Sequence, residues 1–284
     1  LARISGDPAK LSSVLTKIGA QGSRVRTLPA RHLHCGRQEL TAQFLGGTSS
    51  DVTNIFIIGD SLSRYTVDAA CFERDRHCLT DWSHTGGKPI FTYKNGASAS
   101  RVCLQDSTTK VGFIHAYGMK DAGPYLNGHV NTEDDEFTDT PLRLCKALEV
   151  YTKRQGAPTA VVLGIMNWDA VAWTTERGLK KTEWWRIKKD DVEQIVAQWR
   201  IDLGHRLDDI ERCKPPRAKV LLETIPHTPD KPIMLRLNKE VKKEASGRSG
   251  VTLVDWDHDV WEGHDASDFD KLFRDTTHPN PVNT

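Results

Sequence analysis

The chain has almost no net charge. Across its 284 residues, 39 lysines and arginines face 38 aspartates and glutamates, a formal balance of +1. That balance leaves no basic footprint for bulk nucleic-acid binding. Long hydrophobic runs are also missing. The apolar stretches, such as residues 55–58 and 160–163, fall far short of the roughly 18–20 residues of a spanning helix. No transmembrane segment is therefore expected. There is no Asn-x-Ser/Thr sequon, so glycosylation lends no support to secretion. There is no Cys-x-x-Cys pair, which argues against a zinc ribbon. No internal repeat and no low-complexity tract occur, and the opening residues carry no apolar core of signal-peptide type. The chain starts at Leu1, and it is read as a piece of something longer.

What is present is an ordinary globular mix, 38% hydrophobic and 27% charged. A chain of this length makes one large domain or two small ones. Six cysteines occur, at Cys35, Cys71, Cys78, Cys103, Cys145 and Cys213. Two readings stand open: disulfides formed in an oxidising compartment, or scattered buried thiols.

Residues 1–50 are basic, weakly periodic and contain Arg24, Arg26, Arg31 and Arg37. They read as an N-terminal arm or linker, with the arginines solvated. Residues 51–284 carry the ordered pattern. Short continuous apolar runs recur at 55–58, 89–93, 111–115, 160–163, 219–222 and 251–254, as in strands buried on both faces. Thr140-Pro141 is a helix start, a hydroxyl cap followed by proline in the first turn. Val192, Ile195, Val196, Trp199, Leu203, Leu207 and Ile210 trace one stripe of a helix over about 188–213, ended by Pro215-Pro216. A further helix is predicted near 234–245. Residues 119–139 read as a long loop with a solvated acidic tip. Strands alternating with helices predict an α/β fold with a mostly parallel sheet covered on both faces. In such folds ligands bind beyond the carboxyl ends of the strands.

Gly59-Asp60-Ser61-Leu62-Ser63-Arg64 directly follows the first predicted strand. Ser61 then sits on a strand-to-helix turn, where Gly59 permits a tight backbone and the helix N-terminus aims N–H groups at anything bound. A serine nucleophile needs a base and oxyanion donors. Asp275-Thr276-Thr277-His278-Pro279 supplies the candidate base: Asp275 orients His278, which takes the Ser61 proton.

These two end motifs together resemble the SGNH/GDSL hydrolase superfamily. The longer string 59–64 more closely resembles its PC-esterase branch, which includes the plant trichome-birefringence-like polysaccharide O-acetyltransferases. The resemblance covers about residues 51–280. It implies a three-layer αβα architecture, SGNH/flavodoxin-like, around a central mostly parallel sheet. It implies Ser61, Asp275 and His278 as the catalytic triad and an oxyanion-hole Asn after a central strand. Asn167, in Gly164-Ile165-Met166-Asn167, fits that place with a spacing one residue longer than the usual Gly-x-Asn. Gly96 is the expected glycine donor, with Arg101 as the alternative in the acetyltransferase-like branch. The family continues past His-Pro into a last helix, whereas this chain ends at Thr284. No cofactor and no metal are expected.

Trp168 and Trp173, close to Asn167, are either sugar-stacking faces or core residues. Asp255, Asp257, His258, Asp259 and His264 are either a divalent-metal site or a solvated cluster, and Val260 stands where a calcium loop needs glycine. Asp255 also competes with Asp275 for the triad, and His32-Leu33-His34-Cys35 reads as a strand or loop fragment. His227, at another strand end, is expected to line the cleft. The expected function is a serine-dependent O-acyl ester hydrolase acting on an acylated small molecule or glycan, acetylated carbohydrate first. The alternatives are a glycan O-acetyltransferase using the same residues, a catalytically silent glycan-binding module and a metal-dependent hydrolase. Cysteine content and resemblance together point to the secretory pathway lumen or the exterior.

Overall fold

The computed structural model describes residues 53–70, 82–85, 88–89, 91, 99–106, 109–116, 118–119, 140–180, 183, 186–228 and 233–262. Among them eight strands occur: β1 (Thr53–Gly59), β2 (His84–Thr85), β3 (Lys88–Pro89), β4 (Ser100–Asp106), β5 (Thr109–His115), β6 (Ala160–Gly164), β7 (Lys219–Glu223) and β8 (Val251–Val254). Six helices accompany them: α1 (Ser61–Ala70), α2 (Thr140–Gln155), α3 (Asn167–Glu176), α4 (Lys189–Cys213), α5 (Ile233–Gly247) and α6 (Trp256–Trp261).

Six strands form one mixed sheet in the order β4-β5-β1-β6-β7-β8. β5, β1, β6, β7 and β8 are mutually parallel, and β4 pairs antiparallel with β5 at the edge. β2 and β3 form a separate short hairpin. Of the expected strand at 89–93, Pro89 belongs to β3 and Phe91 is a buried core residue outside any strand, while residues 90, 92 and 93 lie outside the described residues. Strand β4 has only Val102, Cys103 and Leu104 as an apolar run, flanked by Ser100-Arg101 and Gln105-Asp106, and so gives a weaker sequence signal than the buried strands.

All seven residues of β1 are buried, as the central strand of a parallel sheet requires. Its side chains alternate between two clusters. Phe56 and Ile58 join the main core with residues of α2, α3, α4 and α5. Ile55 and Ile57 join a second cluster with Val67 of α1. The α4 stripe is buried as the sequence predicts, from Ile195 to Ile210, with Val192 partly buried against the same core. Cys145 of α2 and Cys213 at the end of α4 form a disulfide with a Cα–Cα distance of 5.4 Å. Among the described residues no helix is long and apolar enough to cross a membrane.

The chain leaves β1 toward β5 on one side and later places β6 on the other. The strand order therefore reverses at β1, and the crevice of such a sheet opens beyond the carboxyl ends of β1 and β6. Those two ends carry Asp60-Ser61 and Asn167.

Candidate active site

A single residue, Asp60, lies between the end of β1 and the start of α1. Its carboxylate is fully buried. Oδ1 accepts a hydrogen bond from the Leu62 N–H at 2.8 Å, and its carbonyl accepts from the Arg64 N–H at 3.0 Å. Asp60 is thus the N-cap of α1. Its other oxygen, Oδ2, accepts from the Asn167 N–H at 3.1 Å. Asn167 opens α3, and the residue before it, Met166, makes no side-chain cap. One carboxylate from the end of β1 therefore caps two helices. A negative group beside two helix N-termini is favoured by both dipoles, and its bonds to N–H groups are charge-assisted.

The glycines beneath this brace serve space rather than unusual dihedrals. Gly59 and Gly164 sit opposite each other in the β1–β6 register. Neither adopts positive φ, so Gly59 is not the tight-turn residue the sequence suggests. A Cβ on Gly59 would collide with the Ser63 side chain, and one on Gly164 with Ser63 Oγ and the Glu223 carboxylate. Ser63 Oγ lies 3.3 Å from the Gly164 carbonyl oxygen and 3.1 Å from Glu223 Oε2. One hydroxyl proton serves only one of these acceptors. Protonated Glu223 can donate to Ser63 Oγ and leave the Ser63 proton for Gly164. Burial, assisted by the nearby Asp60 charge, pushes the Glu223 carboxyl up to about 7 against the opposing Ser63 bond.

A third buried carboxylate, Asp169, stands two residues beyond Asn167. Both its oxygens lie 3.0 Å from the Met119 N–H, and Oδ2 accepts from Trp199 Nε1 at 2.8 Å. It ties the segment after β5 and the middle of α4 to the first turn of α3. Burial pushes its carboxyl up to about 7, although the two hydrogen bonds pull the other way.

Ser61 is half-buried at the first position of α1, and Asn167 is buried at the first position of α3. The Asp60 brace brings these two together. Trp168 is half-buried beside Asn167. Trp173 belongs to the main core, which removes it from sugar contact. Arg101 is half-buried on β4, paired with Phe113 of β5, which in turn pairs with Ile57 of β1. Its backbone is thus about 10 Å from β1, level with a residue below the crevice. Gly96, Asp275 and His278 lie outside the described residues, as do the arm at 1–50, the 120–139 part of the expected loop and His264.

Asp255 is engaged elsewhere. It caps α6 through the His258 N–H, accepts from Thr224 Oγ1 at 2.9 Å and pairs with Lys242 at 2.7 Å. Among the described residues no group of three His, Cys, Asp or Glu side chains is arranged to hold a metal. Asp257 instead meets His227: its Oδ1 lies 2.7 Å from both the His227 N–H and Nδ1.

The roles of Asp60, Glu223 and Asp169 depend on contacts between distant parts of the chain. An Asp immediately before a helix signals a cap; its second partner, 107 positions away, has no local signature. No protein-family model and no curated protein matches the chain.

Proposed function

We propose that the chain is a serine-dependent O-acyl ester hydrolase of SGNH type, with acetylated carbohydrate as its substrate class. The observation that carries this reading is the Asp60 brace, which holds the Ser61 turn and the Asn167 turn side by side at the reversal point of the sheet. Two helix N-termini there face the crevice, an environment that favours developing negative charge. The three-layer αβα arrangement is part of the same proposal, supported by the two clusters on opposite faces of β1.

In this reading Ser61 Oγ attacks the acyl carbonyl carbon while His278, oriented by Asp275, takes the hydroxyl proton. The carbonyl oxygen becomes an oxyanion held by the Ser61 N–H, Asn167 and Gly96. The carbon–oxygen bond to the alcohol breaks, and His278 returns the proton to the leaving alcohol. Water, deprotonated by His278, then attacks the acyl-serine, and Ser61 Oγ leaves with that proton. The spacing Asp275-x-x-His278 supports the base assignment. A sugar hydroxyl in place of water turns the same sequence of steps into O-acetyl transfer, a reading favoured by the resemblance of residues 59–64 to the acetyltransferase branch. The Cys145–Cys213 disulfide supports an oxidising compartment, the secretory lumen or the exterior.

The test is time-resolved intact mass spectrometry with a chromogenic acetyl ester on wild type and Ser61→Ala. A transient acetyl adduct on wild type alone supports the reading. Unchanged turnover in Ser61→Ala refutes it.

A further inference from the structure

The described residues contain one Asp–His pair built as a unit, and it lies on the same edge of the sheet as Ser61. Asp257 Oδ1 accepts from the His227 backbone N–H and from Nδ1, both at 2.7 Å. The Trp261 indole stacks on the imidazole with centroids 4.9 Å apart and donates from Nε1 to the His227 carbonyl at 3.1 Å. Asp257 is itself fixed, its N–H donating to Thr224 Oγ1 at 3.0 Å, and Thr224 Oγ1 lies 2.9 Å from Asp255 Oδ1. The N–H, the carbonyl, Nδ1 and one ring face of His227 are all held. Among the described residues no group engages Nε2, on a side chain that is 25% exposed. In the neutral imidazole with Nδ1–H donated to the carboxylate, Nε2 carries the lone pair and accepts hydrogen bonds.

The position is set by β7. Its last residue, Glu223, reaches Ser63, two residues from Ser61. His227 follows four residues later, so its Cα lies within about 14 Å of that of Glu223. The intervening Thr224 and Ile225 are pinned by Val254 and Asn238, which keeps the segment at the carboxyl ends of the strands.

We propose that His227, oriented by Asp257, is a hydroxyl-binding position for the alcohol part of the substrate or acceptor. Its Nε2 accepts a hydrogen bond from a sugar hydroxyl outside the acyl pocket. The inference rests on the reading of Ser61 as the nucleophile. It gives His227 a positioning role, distinct from the base role of His278, and it selects polyhydroxylated alcohols over simple ones.

The test compares wild type and His227→Gln with 4-nitrophenyl acetate as donor and a mixture of methanol and methyl β-glucoside as acceptors. The expected result is at least a tenfold fall in the ratio of acetylated glucoside to methyl acetate. An unchanged ratio overturns the proposal, because the ratio is independent of how much enzyme is folded. A second readout does not need the nucleophile. In Ser61→Ala labelled with 15N-histidine, methyl β-glucoside is expected to shift the His227 Nε2 resonance in a saturable way, and no shift overturns the proposal. If wild type forms no acetyl adduct, the Ser61 reading fails while this binding readout still decides the role of His227.

Discussion

Replacing Asp60 by Asn tests the brace most directly. The carboxylate accepts from Leu62 N–H with one oxygen and from Asn167 N–H with the other, at 2.8 and 3.1 Å. An amide of the same shape offers one acceptor oxygen and turns an NH2 group toward the second N–H. One bond is kept in weaker, neutral form; the other becomes a buried donor–donor contact. A hydrogen bond to a charged group contributes about 1.5–3 kcal/mol, and a buried amide left unsatisfied costs about 1–3 kcal/mol. Relief of repulsion between Asp60 and the neighbouring Glu223 and Asp169 offsets a part of this. The expected net loss is about 2–4 kcal/mol, measured by urea denaturation as a lower midpoint at unchanged slope. Because the lost bond sets the separation of Ser61 and Asn167, ester turnover is expected to fall about a hundredfold in the molecules that remain folded. A variant within about 0.5 kcal/mol of wild type, with full turnover, would refute the claim that Asp60 joins the two turns.

Glu223 and Asp169 predict the pH dependence of stability. Their folded values, about 7 in each case, lie above the ordinary values of 4.5 and 3.8. The folded state therefore holds protons that the unfolded state has released. Stability is fully present below the ordinary values and declines as pH rises toward about 7, by on the order of 3 kcal/mol for each group. Glu223→Gln keeps an acceptor for Ser63 and is expected to flatten that decline when denaturation midpoints are compared from pH 4 to 8. An equally steep decline would remove Glu223 as its source. Replacing Cys145 and Cys213 together by Ser opens a loop of 68 residues and is expected to destabilise the fold by about 4 kcal/mol. Chemical denaturation of the double variant checks this, and an unchanged midpoint would show that the bridge contributes nothing.

Features with a local signal are legible in the residues alone. The apolar runs at β1, β6 and β7 are short and continuous because strands buried on both faces have no solvent side to encode, whereas β8, at the edge of the sheet, is half-buried over its first three residues. Helix α4 was legible because burial of one face repeats every three to four residues. The Thr140 start of α2 was legible because capping needs only neighbours. Candidate chemistry was legible at Ser61 and Asn167 because polar residues directly after buried strands fall at the open edge of the sheet.

The tertiary structure alone decided what depends on residues far apart in the chain. Edge strand β4 has half-polar, unremarkable composition and is a strand only because β5 lies beside it. Gly59 looks like a turn glycine and is a strand glycine, needed because Ser63 packs over it. Asp255 reads as a metal or triad carboxylate and is occupied as the cap of α6 and the partner of Lys242. The joining of Ser61 to Asn167 through Asp60, and of His227 to Asp257, spans 107 and 30 positions respectively. Sequence patterns report burial and local hydrogen bonding. Which distant carboxylate accepts which N–H is fixed only when the sheet order places two strand ends side by side.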